Sequence, residues 1–144
     1  MELDNIEIKT ASKDLISKHI EELLIIDRSC FDNESWTEDA FLSELPLKFE
    51  KSMLLMKNDS VIGYAIVSQK AEGAHLHRLA ISKDFVLQRL GEYLLETIIK
   101  SIGRKSLTLK VNTFNTGAVI FYLKLGFLFV EKNGNYYKMK KDGA

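Results

Sequence analysis

Two histidines, His75 and His77, lie two residues apart in the otherwise mostly apolar stretch 74–82. On a strand that spacing puts both on one face. Histidine titrates near neutrality, so either could take up a proton, and either is equally suited to a hydrogen bond with a neighbouring strand. The pair could chelate, but no cysteine cluster or nearby motif completes a ligand set, so no metal is expected. A second group is Val86-Leu87-Gln88-Arg89-Leu90-Gly91, at the start of a long amphipathic stretch. A helix beginning here would offer free N–H groups and a positive dipole end to a phosphate, with Gly91 allowing close approach. Taken alone, these six residues read equally as an ordinary helix with one packing glycine. No Gly-Lys-Ser/Thr phosphate loop occurs. Cys30, the single cysteine, lies between Ser29 and Phe31 and is expected in the core, like most free cysteines. The basic run Lys138, Lys140, Lys141 reads as a solvated last strand and tail.

The elements that must hold these groups follow from hydrophobic period. Residues 5–9 alternate as a strand. Ser12 opens a helix in which Leu15, Ile16, Ile20, Leu23, Leu24 and Asp27 recur every three or four residues. Thr37 caps a second helix with Phe41, Leu42 and Leu45 on its buried face, and Pro46 is expected to end it. Strands 51–57 and 61–69 form a hairpin around Asn58-Asp59. After Glu72-Gly73 comes strand 74–82, with His75, His77 and Leu79 on one face and Leu76, Arg78 and Ala80 on the other. A helix over 87–102 buries Leu87, Leu90, Gly91, Leu94, Ile98 and Ile102, and Gly103 ends it. Strand 106–112, helix 115–125 and the hairpin 127–131 with 136–140 complete the chain. The order is β-α-α-β-β-β-α-β-α-β-β, an α/β chain with a mixed sheet and helices on both faces. The strand-helix-strand unit makes strands four and five parallel or splayed neighbours.

The composition suits one domain over residues 1–144, with 46% hydrophobic and 28% charged residues. A formal net charge of zero argues against nucleic acid or an acidic membrane as partner. One cysteine permits no disulfide within the chain, and the N-terminus is too polar for a signal peptide, so a cytoplasmic location is expected.

That element order is the one found in the GNAT acetyltransferases, and three segments carry the resemblance over essentially the whole chain. Residues 74–99 resemble the superfamily's central motif: Leu79-Ala80-Ile81, Asp84-Phe85, Gly91 and Leu94-Leu95 fall in register with a strand, a loop of the type [Arg/Gln]-x-x-Gly-x-[Gly/Ala] and a helix. Residues 111–127 are similar to the pattern Val-x-x-x-Asn-x-x-Ala-x-x-[Leu/Phe]-Tyr-x-x-x-Gly-Phe, through Val111, Asn115, Ala118, Phe121, Tyr122, Gly126 and Phe127. Residues 26–45 look like protein N-terminal acetyltransferases, including the ribosomal-protein alanine group, at Phe31, Trp36, Thr37 and Phe41.

The resemblance implies acetyl-CoA as cosubstrate and an amine as acceptor, a protein N-terminus among the candidates. Its backbone cradle for the pyrophosphate would be Val86, Leu87, Gln88, Arg89, Leu90 and Gly91. Val86 stands where Arg or Gln is usual and Arg89 where the first glycine is usual. An arginine can keep a helical backbone there, and its guanidinium either grips the phosphate or blocks it. Leu79, Ala80 and Ile81 would pair with the pantetheine arm like an added strand. Asn115 would help hold the coenzyme, cap the helix from Thr116, or do both. Tyr122 would be the general acid at the sulfur, or a core aromatic. His75 aligns with a position used for proton removal, and Lys110 stands where the family often has Glu or His. Of Tyr136 and Tyr137, at most one can line the acceptor site. The alternative is a non-catalytic binding or regulatory module with a degenerate loop. Monomer and homodimer are both compatible with the sequence.

Overall fold

The protein, described here by a computed structural model, is defined over residues 5–143, with the side chains of Leu87 and Gln88 outside the description. Seven strands form one sheet in the order β1-β2-β3-β4-β5-β7-β6. They are β1 (Ile6–Thr10), β2 (Met53–Lys57), β3 (Ser60–Lys70), β4 (Gly73–Ile81), β5 (Leu107–Asn112), β6 (Leu128–Asn133) and β7 (Tyr136–Lys141). All neighbours are antiparallel except β4 and β5, which the helix between them forces to run parallel. This is the mixed α/β architecture expected from the element order.

Helices cover both faces. On one face α1 (Lys13–Lys18), α2 (Ile20–Phe31) and α3 (Glu38–Leu42) bury Ile16, Leu23, Ile26 and Phe41 against Leu54, Tyr64, Ile66 and Ala80 of β2–β4. On the other, α5 (Leu90–Ile102) and α6 (Thr116–Lys124) pack on Leu55, Val67, Leu76, Leu109 and Met139. Leu90, Leu94, Leu95, Ile98 and Ile102 are the buried stripe of α5. At roughly 1.5–3 kcal/mol for each large apolar side chain, that stripe is a main anchor of the fold. Among the described residues no helix is long and apolar enough to cross a membrane.

Several expectations are corrected. The first helix is not continuous: His19 (φ −106°, ψ 20°) leaves the helical region and separates α1 from α2. Its Nδ1 lies 2.6 Å from Glu22 Oε1, and the other oxygen of Glu22 accepts from Val61 N–H at 2.8 Å, so the break is tied to β3. Pro46 does not end α3. The helix stops at Leu42, and the buried Lys48 ammonium donates to Ala40 O (3.0 Å) and Ser43 O (2.7 Å). Lys48 opens a short helix, α4 (Lys48–Lys51), that the sequence reading missed. The helix expected from residue 87 begins at Leu90, because Lys83–Gln88 coil as a 3-10 helix and Arg89 turns left-handed.

The alternation expected along β4 is also interrupted. Ile66 pairs with Arg78 but Val67 pairs with Leu76, so His77 is an extra residue in a β-bulge. Leu76 therefore packs with Leu79 and Ile81, not with Ala80, which faces the opposite helices.

Candidate active site

The bulge sits where β4 parts from β5. Pairing covers only Ala74↔Leu107, His75↔Thr108 and Leu76↔Leu109. Beyond it, Arg78–Ile81 keep β3 on one side and face a widening gap on the other. Two cavities open on this gap. One, of about 600 Å³, is bounded by Leu79, Ala80, Ile81, Val86, Arg89 and Gly91. The other, of about 480 Å³, is bounded by His75, Arg78, Trp36, Glu34, Lys110 and Tyr136. Phe31, Leu79, Asn115, Ala118 and Tyr122 line both, so the cavities meet at these residues.

Most of the expected coenzyme residues are thus brought together. Leu90 does not line the cavity, and its side chain is core, 2% exposed. Asn115 takes the capping role, and its position suits the coenzyme role as well. Its side chain accepts from Ala118 N–H at 3.1 Å as the cap of α6, while the residue lines both cavities.

Arg89 corrects the idea of a helical backbone at this position. Its φ of 59° and ψ of 24° are left-handed, the conformation for which glycine is the usual choice. The arginine keeps the turn that a glycine would make. Its side chain is 82% exposed and pairs with Glu92 Oε2 at 3.3 Å, so it lies at the cavity mouth instead of filling the floor. The first intrahelical bond of α5 runs from Tyr93 N–H to Arg89 O (3.2 Å), and no side chain caps the helix. Early amide N–H groups of α5 therefore lie beside the cavity wall formed by Gly91 and Glu92.

Tyr122 is placed by the end of α6. Gly126 adopts φ 95°, which lets Gly126 N–H donate to Leu123 O (3.1 Å) and Phe127 N–H donate to Tyr122 O (3.0 Å). This paired cap folds the fully buried Phe127 ring edge-on to Tyr122, with centroids 5.5 Å apart. The Tyr122 hydroxyl has no hydrogen-bond partner among the described residues, and burial pushes its pKa up to about 12. It is a protonated donor at the junction of the two cavities.

His75 lines the smaller cavity, with Nδ1 2.7 Å from Thr108 Oγ1, which leaves Nε2 for another partner. Its ring packs edge-on to His77, centroids 4.7 Å apart, and His77 Nε2 lies 2.7 Å from Ser68 Oγ. Burial, then the Lys110 and Lys138 ammoniums, hold His75 below the ordinary histidine value. Burial, with His75 and Lys48 adding, lowers His77 to about 4. Lys110 is exposed. Tyr136 lines the cavity while Tyr137 packs on the core, so one of the pair reaches the site. Cys30 departs from its expected core position: it is exposed, lines the larger cavity and approaches Ile81 O at 3.5 Å.

The sequence reading missed the pair that shapes the smaller cavity. Asp27 is fully buried and accepts two bonds from Arg78, Nε to Oδ1 and Nη2 to Oδ2, each 2.9 Å. The Tyr64 hydroxyl and Trp36 N–H also donate to it. Arg78 donates to Glu34 O at 2.6 Å and stacks on the Phe31 ring at 3.6 Å. Burial alone would raise the Asp27 pKa, but these bonds hold it below the usual carboxylate value. One signal was available: Asp27 falls on the apolar stripe of its helix.

The chain matches known proteins in sequence and in fold. Residues 20–127 match the Acetyltransferase (GNAT) family. The chain is 32% identical over 108 residues to "[Ribosomal protein bS18]-alanine N-acetyltransferase" of Escherichia coli K12, covering 71% of this chain and 70% of that protein. Ard1 from Thermoplasma volcanium superposes with a TM-score of 0.82 at 22% identity, over 97% of this chain and 99% of that one. Arabidopsis thaliana Naa50, solved with the bisubstrate analogue CoA-Ac-MVNAL, superposes with a TM-score of 0.74 at 17% identity, over 96% and 99%.

Proposed function

The chain belongs to the Acetyltransferase (GNAT) family, an acetyl-CoA-dependent N-acetyltransferase, and from that premise we propose that its acceptor is the α-amine of a polypeptide. The observation that carries the reading is the meeting of two cavities at Tyr122, Asn115 and Leu79 across the splayed strands. One cavity suits a coenzyme and the other an acceptor. The names of similar proteins point the same way: one acts on a ribosomal protein's alanine, and another was solved with a peptide analogue.

The residues of the larger cavity fit acetyl-CoA. Uncapped amides at the start of α5 suit a pyrophosphate, and the unpaired edge of β4 at Leu79–Ile81 suits an extended amide-bearing arm. Bound there, the coenzyme supplies an acyl group activated as a thioester. On the acceptor side, His75 Nε2 takes the proton of the ammonium, which makes the amine nucleophilic. A neutral imidazole is needed for this, and the lowered His75 pKa keeps it neutral at pH 7. As the C–N bond forms and the C–S bond breaks, Tyr122 would give its phenolic proton to the departing sulfur, and the second proton shed by the acylated nitrogen would restore the phenol. Residues 1–144 act as one domain, and we place the reaction in the cytoplasm, a location supported by the single cysteine. Thiol release in the presence of acetyl-CoA and a panel of peptides with free or blocked N-termini tests the proposal. Turnover with free N-termini only is expected, and equal turnover of blocked peptides carrying lysine would refute it.

The loop bears a separate expectation. Arg89→Gly removes a side chain from the left-handed region, a strain of about 1 kcal/mol, offset by a similar entropy gain of the unfolded chain. The melting temperature should therefore change little. Calorimetric affinity for acetyl-CoA should weaken by roughly three- to tenfold, the effect of losing a partly solvated charge near a phosphate. Tighter binding would mean that Arg89 obstructs the cradle.

A further inference from the structure

The helices of the α1–α3 face cover β2–β4 but leave the same face of β5, β7 and β6 open. A third cavity, of about 510 Å³, lies on this open face and shares His75, Lys110 and Tyr136 with the acceptor cavity. Its far wall adds Lys138 and Glu131. Lys110 and Lys138 are direct cross-strand partners, so their side chains leave the same face side by side. Like charges opposite one another destabilise a sheet. Neither lysine is ion-paired among the described residues, whereas Lys140 further along β7 has Asp142 Oδ1 at 3.6 Å. Glu131 stands opposite Lys138 on β6, so with His75 neutral the cavity keeps an excess positive charge.

We infer that this open face, centred on Lys110 and Lys138, binds an acidic side chain within the first few residues of the acceptor polypeptide and so sets a preference for acidic N-terminal segments. Strands lie about 5 Å apart. A chain whose amine sits at the β4–β5 gap therefore reaches the lysines after roughly two to four residues, at about 3.3–3.6 Å each. A carboxylate there offsets the one positive charge that Lys110 and Lys138 carry in excess of Glu131, which favours an acidic occupant over a neutral or basic one. The inference rests on the polypeptide-acceptor reading.

The test uses the purified protein, acetyl-CoA and peptides with one shared N-terminal residue, carrying Asp/Glu, Ser or Lys at positions two to four. The acidic set should exceed the Lys set in kcat/KM by about tenfold, mostly through KM, with the gap shrinking as salt rises. The Lys110→Glu/Lys138→Glu double variant should reverse the order while binding acetyl-CoA as the natural chain does, which also reports that it folds. Equal use of all three peptide sets, or a preference that survives the double variant, overturns the inference and leaves the polypeptide reading intact. Turnover of small amines with no peptide acetylated overturns both.

Discussion

Tyr122→Phe will lower kcat by about 10²- to 10³-fold, with kcat/KM falling in parallel, because a positioned general acid contributes on that scale. The substitution removes one oxygen and keeps the ring. The ring is what packs edge-on to Phe127 and Phe121, with centroids 5.5 Å and 5.2 Å away, so the end of α6 should hold its place. The lost hydroxyl has no partner among the described residues, so no buried group is orphaned. The melting temperature and the calorimetric affinity for acetyl-CoA are therefore expected to stay close to those of the natural chain. The pH profile separates the two proposed proton carriers. Tyr122 keeps its proton until about pH 12, so its loss cannot produce an alkaline limb in the usual range. His75 titrates below its ordinary 6.5, so activity should fall only on the acid side of that value, as the base becomes protonated. A variant whose KM alone rises would mark Tyr122 as a binding residue and not the acid.

What could be seen of this site beforehand divides along a physical line. Local, periodic features were legible. The stripe Leu90, Leu94, Ile98, Ile102 defines α5, Asn115 before Thr116 marks a cap, and Gly126-Phe127 marks the stop that seats Tyr122. Each is set by residues within a turn or two of chain. Features that depend on a partner far along the sequence were not. Strict alternation places Leu76 with Ala80, and nothing local announces the extra residue His77, which exists because β3 and β4 settle their register together. The left-handed Arg89 escaped for a related reason. Arginine is a good helix former, and only the geometry between the 3-10 turn and α5 forces its φ positive. Cys30 was placed in the core by type, but it lies at the end of α2, where that helix stops beside the open cavity. Asp27 stood on a buried stripe, yet its cation is 51 residues away.

That last pair carries the largest expected effect on stability. Arg78→Met leaves the Asp27 carboxylate fully buried without its cation, and breaking such a pair from one side costs about 3–5 kcal/mol. For a chain of this size the melting temperature should fall by roughly 10 °C or more at pH 7. The loss should be pH-dependent. In the natural chain the folded Asp27 pKa lies below 3.8, so its stabilisation is complete above that value and disappears as pH falls through the lowered pKa. In Arg78→Met, burial raises the same carboxyl, so it takes up a proton sooner and the penalty relaxes. As pH falls, the gap between the two proteins should therefore start to narrow above about 4, where the raised carboxyl of the variant takes up its proton, and keep narrowing until pH reaches the lowered pKa of the natural chain; a constant gap would show that Arg78 acts by packing alone. Replacing the charged cluster with apolar side chains, as Asp27→Leu/Tyr64→Phe/Arg78→Met, should recover much of the melting temperature, because no buried charge is then left unpaired. Activity should not recover with it. Asp27 fixes Trp36 N–H and Arg78 fixes Glu34 O and the Phe31 ring, and all three residues line the acceptor cavity. A triple variant that is stable and binds acetyl-CoA, yet shows a raised KM for the acceptor, would separate what the ion pair does for the fold from what it does for the site.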